Sequence, residues 1–473
     1  ALCALILWWE ISSQRFWAEK GVPYIRGLPF IGIFGKSILL LKNFSVIFSE
    51  LHHHKRQKDE PISGFYFLKT PCLIVRDIEL IKRILVKDFH SFPNRLLEVN
   101  PKNDGIAANF LPISRGVAWR EFRKVFTRSL TPAHINTFYP LGQEIVKNLE
   151  AKLLDGTQLT GSNVYNVLEL ALQFTCDMTF LFGFGIHTEC LKGKDKVHIE
   201  MSRMPVGFNF WRYCSFFMYF LFPRLANFFR ITLTPKLSKE YLQNVFDYLS
   251  KIREEKEFQR DDLTNTVLEM MKDNKEVFTT DAALVQFGTL QVGGTVGTSS
   301  IISFALYELS QNPNIQDKLR MSFNELTVEK ETTEYRDIAN LKYFDMIYKE
   351  TLRLYSGVMF IDREFSGVND SDGYSLEPHH TFKIPRGIPI FISIYGINRD
   401  PKYYKNPHNF DPEHFESSKE NPGMNFFINF GQGPRQCPGQ TLSEFQFKMS
   451  LFHILRKFRV KKCKKTPKRI VLD

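Results

Sequence analysis

A mainly α fold with small β-sheets, in the α+β class, is what this 473-residue sequence predicts. Three observations predict it. Most of the chain carries apolar residues at helical spacing. Strand-like stretches are few, short and bounded by turn residues. No internal repeat or long low-complexity linker divides the sequence, and 43% hydrophobic content is ample for a large core. We therefore expect one large domain over residues 29–473. Residues 1–28 read as the remnant of an N-terminal membrane anchor and its Pro/Gly-rich linker: Ala1 to Trp9 is apolar but too short to span a bilayer, and Lys20, Gly21, Pro23, Arg26 and Gly27 follow it. A signal peptide is the alternative, but no small-residue cleavage site is evident.

The elements follow in order. His52-His53-His54 reads as the solvated face of an early helix, with a metal cluster as the alternative. Phe65 to Val75 alternates and includes β-branched residues, which predicts a strand pair broken at Pro71. Trp119 to Ser129 predicts a helix with a basic face, and Val164 to Phe184 a long apolar helix. Phe208 to Phe229 is dense in aromatics, with Arg203, Arg212, Arg224 and Arg230 placed to snorkel. Many aromatics with few acids suit a membrane-dipping segment that covers a substrate; an ordinary buried helix pair is the other reading. Thr280 or Asp281 can cap a helix that Pro313 stops after Asn312. About 30 residues at 1.5 Å each make it about 45 Å long. Gly293, Gly294 and Gly297 at its centre cost about 1 kcal/mol each relative to alanine. Close approach to a bulky cofactor, an opened hydrogen-bond ladder or tight helix packing would each explain them. Leu341 to Leu354 predicts a helix with Glu350 and Arg353 on one face.

The net charge of +11 points to nucleic acid, an anionic membrane or an acidic partner. No nucleic-acid motif occurs, so nucleic acid is set aside. Forty-five Phe residues suit large apolar cavities or membrane contact. The seven cysteines are odd in number, widely spaced and without a C-x-x-C pair. That argues against a disulfide framework or cysteine zinc site and for a reducing compartment.

The chemistry concentrates at Phe430-Gly431-Gln432-Gly433-Pro434-Arg435-Gln436-Cys437-Pro438-Gly439. Glycines allow tight turns and close approach to a flat ligand. Pro438 suits a first helical position, which would set the Cys437 sulfur at a helix N-terminus, where a thiolate is favoured. Such a thiolate can bind a haem iron while Arg435 neutralises a propionate. A buried structural cysteine beside a turn is the plain alternative.

This loop resembles the haem-binding segment of the cytochrome P-450 family, F-x-x-G-x-R-x-C-x-G, at Phe430, Gly433, Arg435, Cys437 and Gly439. Glu350 and Arg353 match the family's E-x-x-R, and His414 stands where its later P-E-R-F-like segment carries arginine; these three would form a structural network. Trp119 and Arg123 resemble its W-x-x-x-R helix, and Arg363 a third propionate arginine. The resemblance covers nearly the whole chain and implies haem b, lying between the long central helix and the cysteine-loop helix, with Cys437 on the iron. The nearest flavour is the microsomal branch that includes insect detoxification enzymes. It implies a monooxygenase of the endoplasmic reticulum membrane, cytoplasmic face, that inserts one oxygen atom of O2 into a lipophilic small molecule. Electrons would come from NADPH through a flavin reductase, with cytochrome b5 as a further donor. Phe110, Thr295, Val296, Val358 and Met359 would line the substrate pocket.

Two departures qualify the match. The central helix should read A-G-x-(D/E)-T-(T/S) and reads Gly293-Gly294-Thr295-Val296-Gly297-Thr298. Val296 and Gly297 replace the acid and alcohol that deliver protons. Thr298 then becomes the candidate catalytic hydroxyl, brought back by a π-bulge at the glycines, or water serves. The chain also stops at Asp473, before the family's C-terminal hairpin, which suggests an incomplete sequence. A related isomerase or dehydratase that does not activate O2, or a haem-binding protein with little turnover, are the competing functions. The substrate and its site of attack are not legible.

Overall fold

The computed structural model describes residues 15–27, 32–38, 41–160, 164–207, 209–255, 260–329, 333–367, 373–416 and 426–470. The anchor-like stretch at Ala1 to Trp9, Pro29 and Phe208 lie outside the described residues. The elements that bear on function are, in chain order, α1 (Phe44–His52), β1 (Ile62–Phe67), β2 (Thr70–Val75), α2 (Gly116–Ser129), α3 (Pro132–Thr160), α4 (Val167–Phe184), α5 (Phe210–Leu221), α6 (Pro223–Phe228), α7 (Thr280–Val292), α8 (Thr298–Gln311), α9 (Lys342–Leu354), β3 (Phe360–Glu364), β4 (Pro389–Ser393) and α10 (Gln440–Lys457). The stretch expected as one domain divides into two compact units that interleave in sequence. The first gathers the described residues of 1–97, 352–437 and 468–473; the second is Glu98–Thr351 with Pro438–Pro467.

The first unit is built on a four-stranded sheet in the order β1-β2-β4-β3. β1 and β2 form the expected antiparallel pair, from Ile62 opposite Val75 to Phe67 opposite Thr70. The break is not Pro71, however. The chain turns at Leu68, which takes φ 52°, while Pro71 pairs with Tyr66 inside β2. Proline is tolerated there because the parallel pairing to β4 is made at Leu73 and Ile74, beyond it. Gly64 within β1 lets Trp17 lie on the sheet: a Cβ at Gly64 would sit 2.4 Å from the indole. Trp17 Nε1 donates to Phe65 O at 3.1 Å. Tyr66, Leu73, Val75, Phe92, Ile390 and Ile392 complete this core.

The second unit is helical around α4. Asn166 caps that helix, its side chain accepting from Leu168 N and Glu169 N, and Gly185 at φ 70° ends it. α4 is long and apolar enough to cross a membrane by length and composition, but it is mostly buried in the protein, as a core helix is. The central helix runs as expected from Thr280 to Gln311, with Thr279 as its cap one residue earlier and Asn312 closing it. Its middle, Gly293–Gly297, is a π-helical turn. The glycines divide by role. At Gly294 a Cβ would meet Thr179 Oγ1 at 2.8 Å, so close packing on α4 requires glycine. At Gly293 and Gly297 a Cβ would meet nothing within 4 Å.

Candidate functional site

The cysteine loop lies in the first unit and is held from several directions. Gly431 and Gly433 take φ 77° and 73°, the left-handed region that favours glycine. At Gly433 a Cβ would come within 2.1 Å of Leu85 O, so no other residue fits without moving the backbone. Cys437 N donates to Phe430 O at 2.8 Å, closing the loop, and Cys437 itself is exposed. The following helix begins at Gln440 with Gly439 as its cap. Pro438 is thus not the first helical residue, and Cys437 precedes that residue by three. The other described cysteines divide into buried Cys72, Cys176 and Cys190, half-buried Cys214, and exposed Cys463.

Behind the loop sits Arg353. It is fully buried and donates through Nη1 to Asn398 O at 2.7 Å and Pro407 O at 2.6 Å, and through Nη2 to Asn409 O at 2.9 Å. Asn398 Nδ2 in turn donates to Asn429 Oδ1 at 2.6 Å, one residue before Phe430. The arginine therefore fixes backbone that fixes the loop. His414 is buried in the same region, its Nε2 2.5 Å from Lys405 O and its ring against Tyr404. Glu350 is fully buried on α9. Arg353 and His414 thus both grip backbone carbonyls of the 398–409 segment.

Three arginines gather on the same unit. Arg435 is buried and donates through Nε to Pro93 O at 2.5 Å. Arg95, two residues on, is close enough to act on Arg363. Arg363 is 1% exposed, donates through Nη1 to Asp362 O at 2.8 Å, and has its Nε without a hydrogen-bond partner among the described residues. Burial, then the charge of Arg95, pushes Arg363 down to about 9. A cation at such a cost calls for an anion. A haem propionate is a fitting one, so the residues present suit the group that the sequence motif implies. Arg95 was not foreseen. An isolated arginine after Phe92-Pro93-Asn94 shows no period, and only the bridge from Asn94 to Glu364 brings it beside β3.

On the second unit, Trp119 is buried and Arg123 half-buried on α2. Phe110 is half-buried just after a short helix. Along the π turn Gly293 and Gly297 are exposed and Val296 is half-buried. Thr295 and Thr298 are buried, at 0% and 1% exposure. Thr295 O accepts from Thr175 Oγ1 at 3.0 Å, which ties the turn to α4, and Thr295 Oγ1 is buried without a hydrogen-bond partner among the described residues. The π turn expected to bring Thr298 forward is present, yet Thr298 stays packed inside; the exposed position is Gly297. Val358 and Met359, in the first unit ahead of β3, are exposed.

One further expectation changes, and one charge that looks solvated in the sequence is internal. Lys448 is 1% exposed; it donates to Ala339 O at 2.8 Å and pairs with Glu444 at 2.6 Å. Arg203, read as a snorkelling residue, pairs with Glu169 at 2.5 Å.

A sequence model of the family described as Cytochrome P450 matches residues 23–473. Among curated relatives, the chain is 31% identical over 472 residues to "Probable cytochrome P450 6w1" of Drosophila melanogaster, covering 98% of this chain and 91% of that protein. It is 30% identical over 467 residues to "Cytochrome P450 6j1" of Blattella germanica, covering 97% and 90%. With that match across the chain and the motif residues folded as described, this protein belongs to the cytochrome P450 family and is a haem-thiolate monooxygenase that uses haem b and electrons from a separate reductase.

Proposed function

We propose that Cys437 is the axial ligand of the haem iron and that the enzyme oxidises a lipophilic small molecule at a membrane surface. The observation that carries this reading is the Cys437 loop: an exposed thiol after two left-handed glycines, braced through Asn429, Asn398 and buried Arg353. When bound, the haem supplies the oxidising chemistry, and an axial thiolate favours O–O cleavage. The remaining work belongs to the side chains. Arg363, Arg435 and Arg95 neutralise carboxylate charge, and the sequence resemblance assigns Trp119 and Arg123 of α2 a propionate contact. Phe430, Gly433 and Gly439 shape the loop against a flat ligand. Phe110, Val296, Val358 and Met359 present apolar surface to the substrate. No hydroxyl or acid is presented at Val296 or Gly297, so ordered water moves the proton there. The reductase is NADPH–cytochrome P-450 reductase, with cytochrome b5 as a second donor.

The arginine roles predict a separation of effects. Arg363→Met removes a buried cation and the donor for a propionate. Haem affinity is expected to fall by roughly 1–3 kcal/mol, read as haem content after gel filtration. The melting temperature of the haem-free protein is expected not to fall. Its Arg363 is held below the ordinary arginine value, so up to about pH 9 the folded state carries the unfavourable charge. Unchanged haem content would overturn the role.

Contact with a membrane agrees with the exposed aromatic residues of α5 and α6. Trp211 is 75% exposed, Phe228 78% and Phe229 65%, a cluster of rings that water solvates poorly. We place this face in the headgroup region, at the cytoplasmic side of the endoplasmic reticulum. Trp211→Ser/Phe228→Ser/Phe229→Ser is expected to weaken binding to phospholipid vesicles severalfold in flotation assays. Binding equal to wild type would mean that the face is not inserted.

A further inference from the structure

At the end of α1, three side chains with metal-ligating atoms meet. His52 closes the last turn and His53 caps it at φ −93°, ψ 18°. On a continuing helix, neighbours point about 100° apart. Here the rings stand edge to face with centroids 4.9 Å apart. Asp400, 348 residues away in sequence, brings Oδ2 to 3.1 Å from His52 Nε2. One ligand atom from each residue lies within 4.8 Å of the other two. An ion with bonds of about 2.0–2.2 Å closes that spacing with small side-chain rotations.

The surrounding contacts prepare the nitrogens. His53 Nδ1 lies 3.0 Å from Ser49 O, so it carries the proton. That leaves Nε2 with a lone pair, buried and without a partner among the described residues. A ring N–H on a backbone carbonyl is the usual second contact of a metal-bound histidine. His52 is 3% exposed, and its Nδ1 is likewise buried and unpartnered. Gly396 is what lets the ring fit: a Cβ there would lie 2.5 Å from His52 Cβ. Asp400 Oδ1 accepts from Lys402 N at 2.9 Å, which orients the carboxylate and leaves Oδ2 toward His52. The opposing charge is Arg76. Its Nε, Nη1 and Nη2 are committed to His52 O, Ser63 Oγ and Leu51 O, on the backbone side of the ring.

We propose that His52, His53 and Asp400 bind one divalent transition-metal ion, zinc or a metal of like preference, as a clip between α1 and the turn that carries Asp400. Two imidazoles and a carboxylate suit zinc and leave a fourth position for water. The side chain of Asp400, 19% exposed, gives water access. Nothing in the haem chemistry uses this cluster, and the sequence shows only its histidine half, because Asp400 lies 348 residues away.

The test is the zinc content of the untagged holoprotein after equilibrium dialysis against micromolar zinc. About one zinc per chain is expected for wild type. In His53→Gln and Asp400→Asn the affinity should drop at least about tenfold. Zinc should also raise the melting temperature of wild type and of neither variant. An unchanged haem spectrum in the variants separates loss of a ligand from misfolding. His54→Gln, the neighbouring histidine, should bind as wild type does. Wild type without zinc, or equal zinc in wild type and both variants, overturns the site. So does a loss in His54→Gln as large as in His53→Gln, which marks chelation by the histidine run alone.

Discussion

Cys437→Ser is expected to abolish the red-shifted Soret band of the reduced, carbon monoxide-bound protein, with near-total loss of NADPH-driven product formation. The band reports a thiolate on iron, and a serine hydroxyl does not ionise in the accessible pH range to replace it. The substitution is close in size. The loop has its own supports in the Cys437 N to Phe430 O bond, the Arg435 to Pro93 bond and the Asn398 to Asn429 bond. Folding should therefore survive, and circular dichroism should match wild type. The remaining cysteines are the internal control. Cys72, Cys176 and Cys190 are buried, and burial pushes the Cys72 thiol far up from its ordinary value, so it is a poor ligand. Alanine at Cys72, Cys176, Cys190, Cys214 or Cys463 should each leave the band in place. A normal band in Cys437→Ser would remove Cys437 as the ligand.

What the sequence disclosed and what it withheld follow from the range of each interaction. The cysteine loop was legible because its needs are local: two left-handed glycines, one arginine and one thiol within eight residues. The central helix was legible from its ends, where a threonine cap and Pro313 act within one turn. Its π turn was legible as one of three reasons for glycine, and the structure assigns them differently, with Gly294 packed on Thr179 and Gly293 and Gly297 exposed. Long-range pairings were not legible. Lys448 looks solvated until Glu444 and Ala339 O are seen to take its ammonium. His52 looked like part of a solvated run, yet Asp400 and Gly396 bury it. Arg95 gained meaning only when β3 set Arg363 beside it.

The same helix centre yields the second large effect. Val296→Glu/Gly297→Thr is expected to raise the ratio of product formed to NADPH consumed, in protein reconstituted with its reductase and a turned-over substrate. Positioned proton transfer typically contributes about 10² to 10⁴ in rate. Wild type presents a half-buried valine and a glycine where an acid and an alcohol would serve, and Thr298 is buried at 1% exposure. Water alone positions a proton poorly, so reducing equivalents should be lost as hydrogen peroxide. The threonine has room, since a Cβ at Gly297 meets nothing within 4 Å. Its β-branch costs less than about 1 kcal/mol relative to alanine, and replacing glycine returns a similar amount, so stability should hardly change. Gly297→Thr alone should recover part of the effect. Thr298→Val should leave coupling as it is in wild type, because that hydroxyl is withdrawn from the exposed side of the turn. A wild type already tightly coupled, with no gain in the double variant, would show that ordered water does this work unaided. A collapse of coupling in Thr298→Val would instead restore Thr298 as the catalytic hydroxyl.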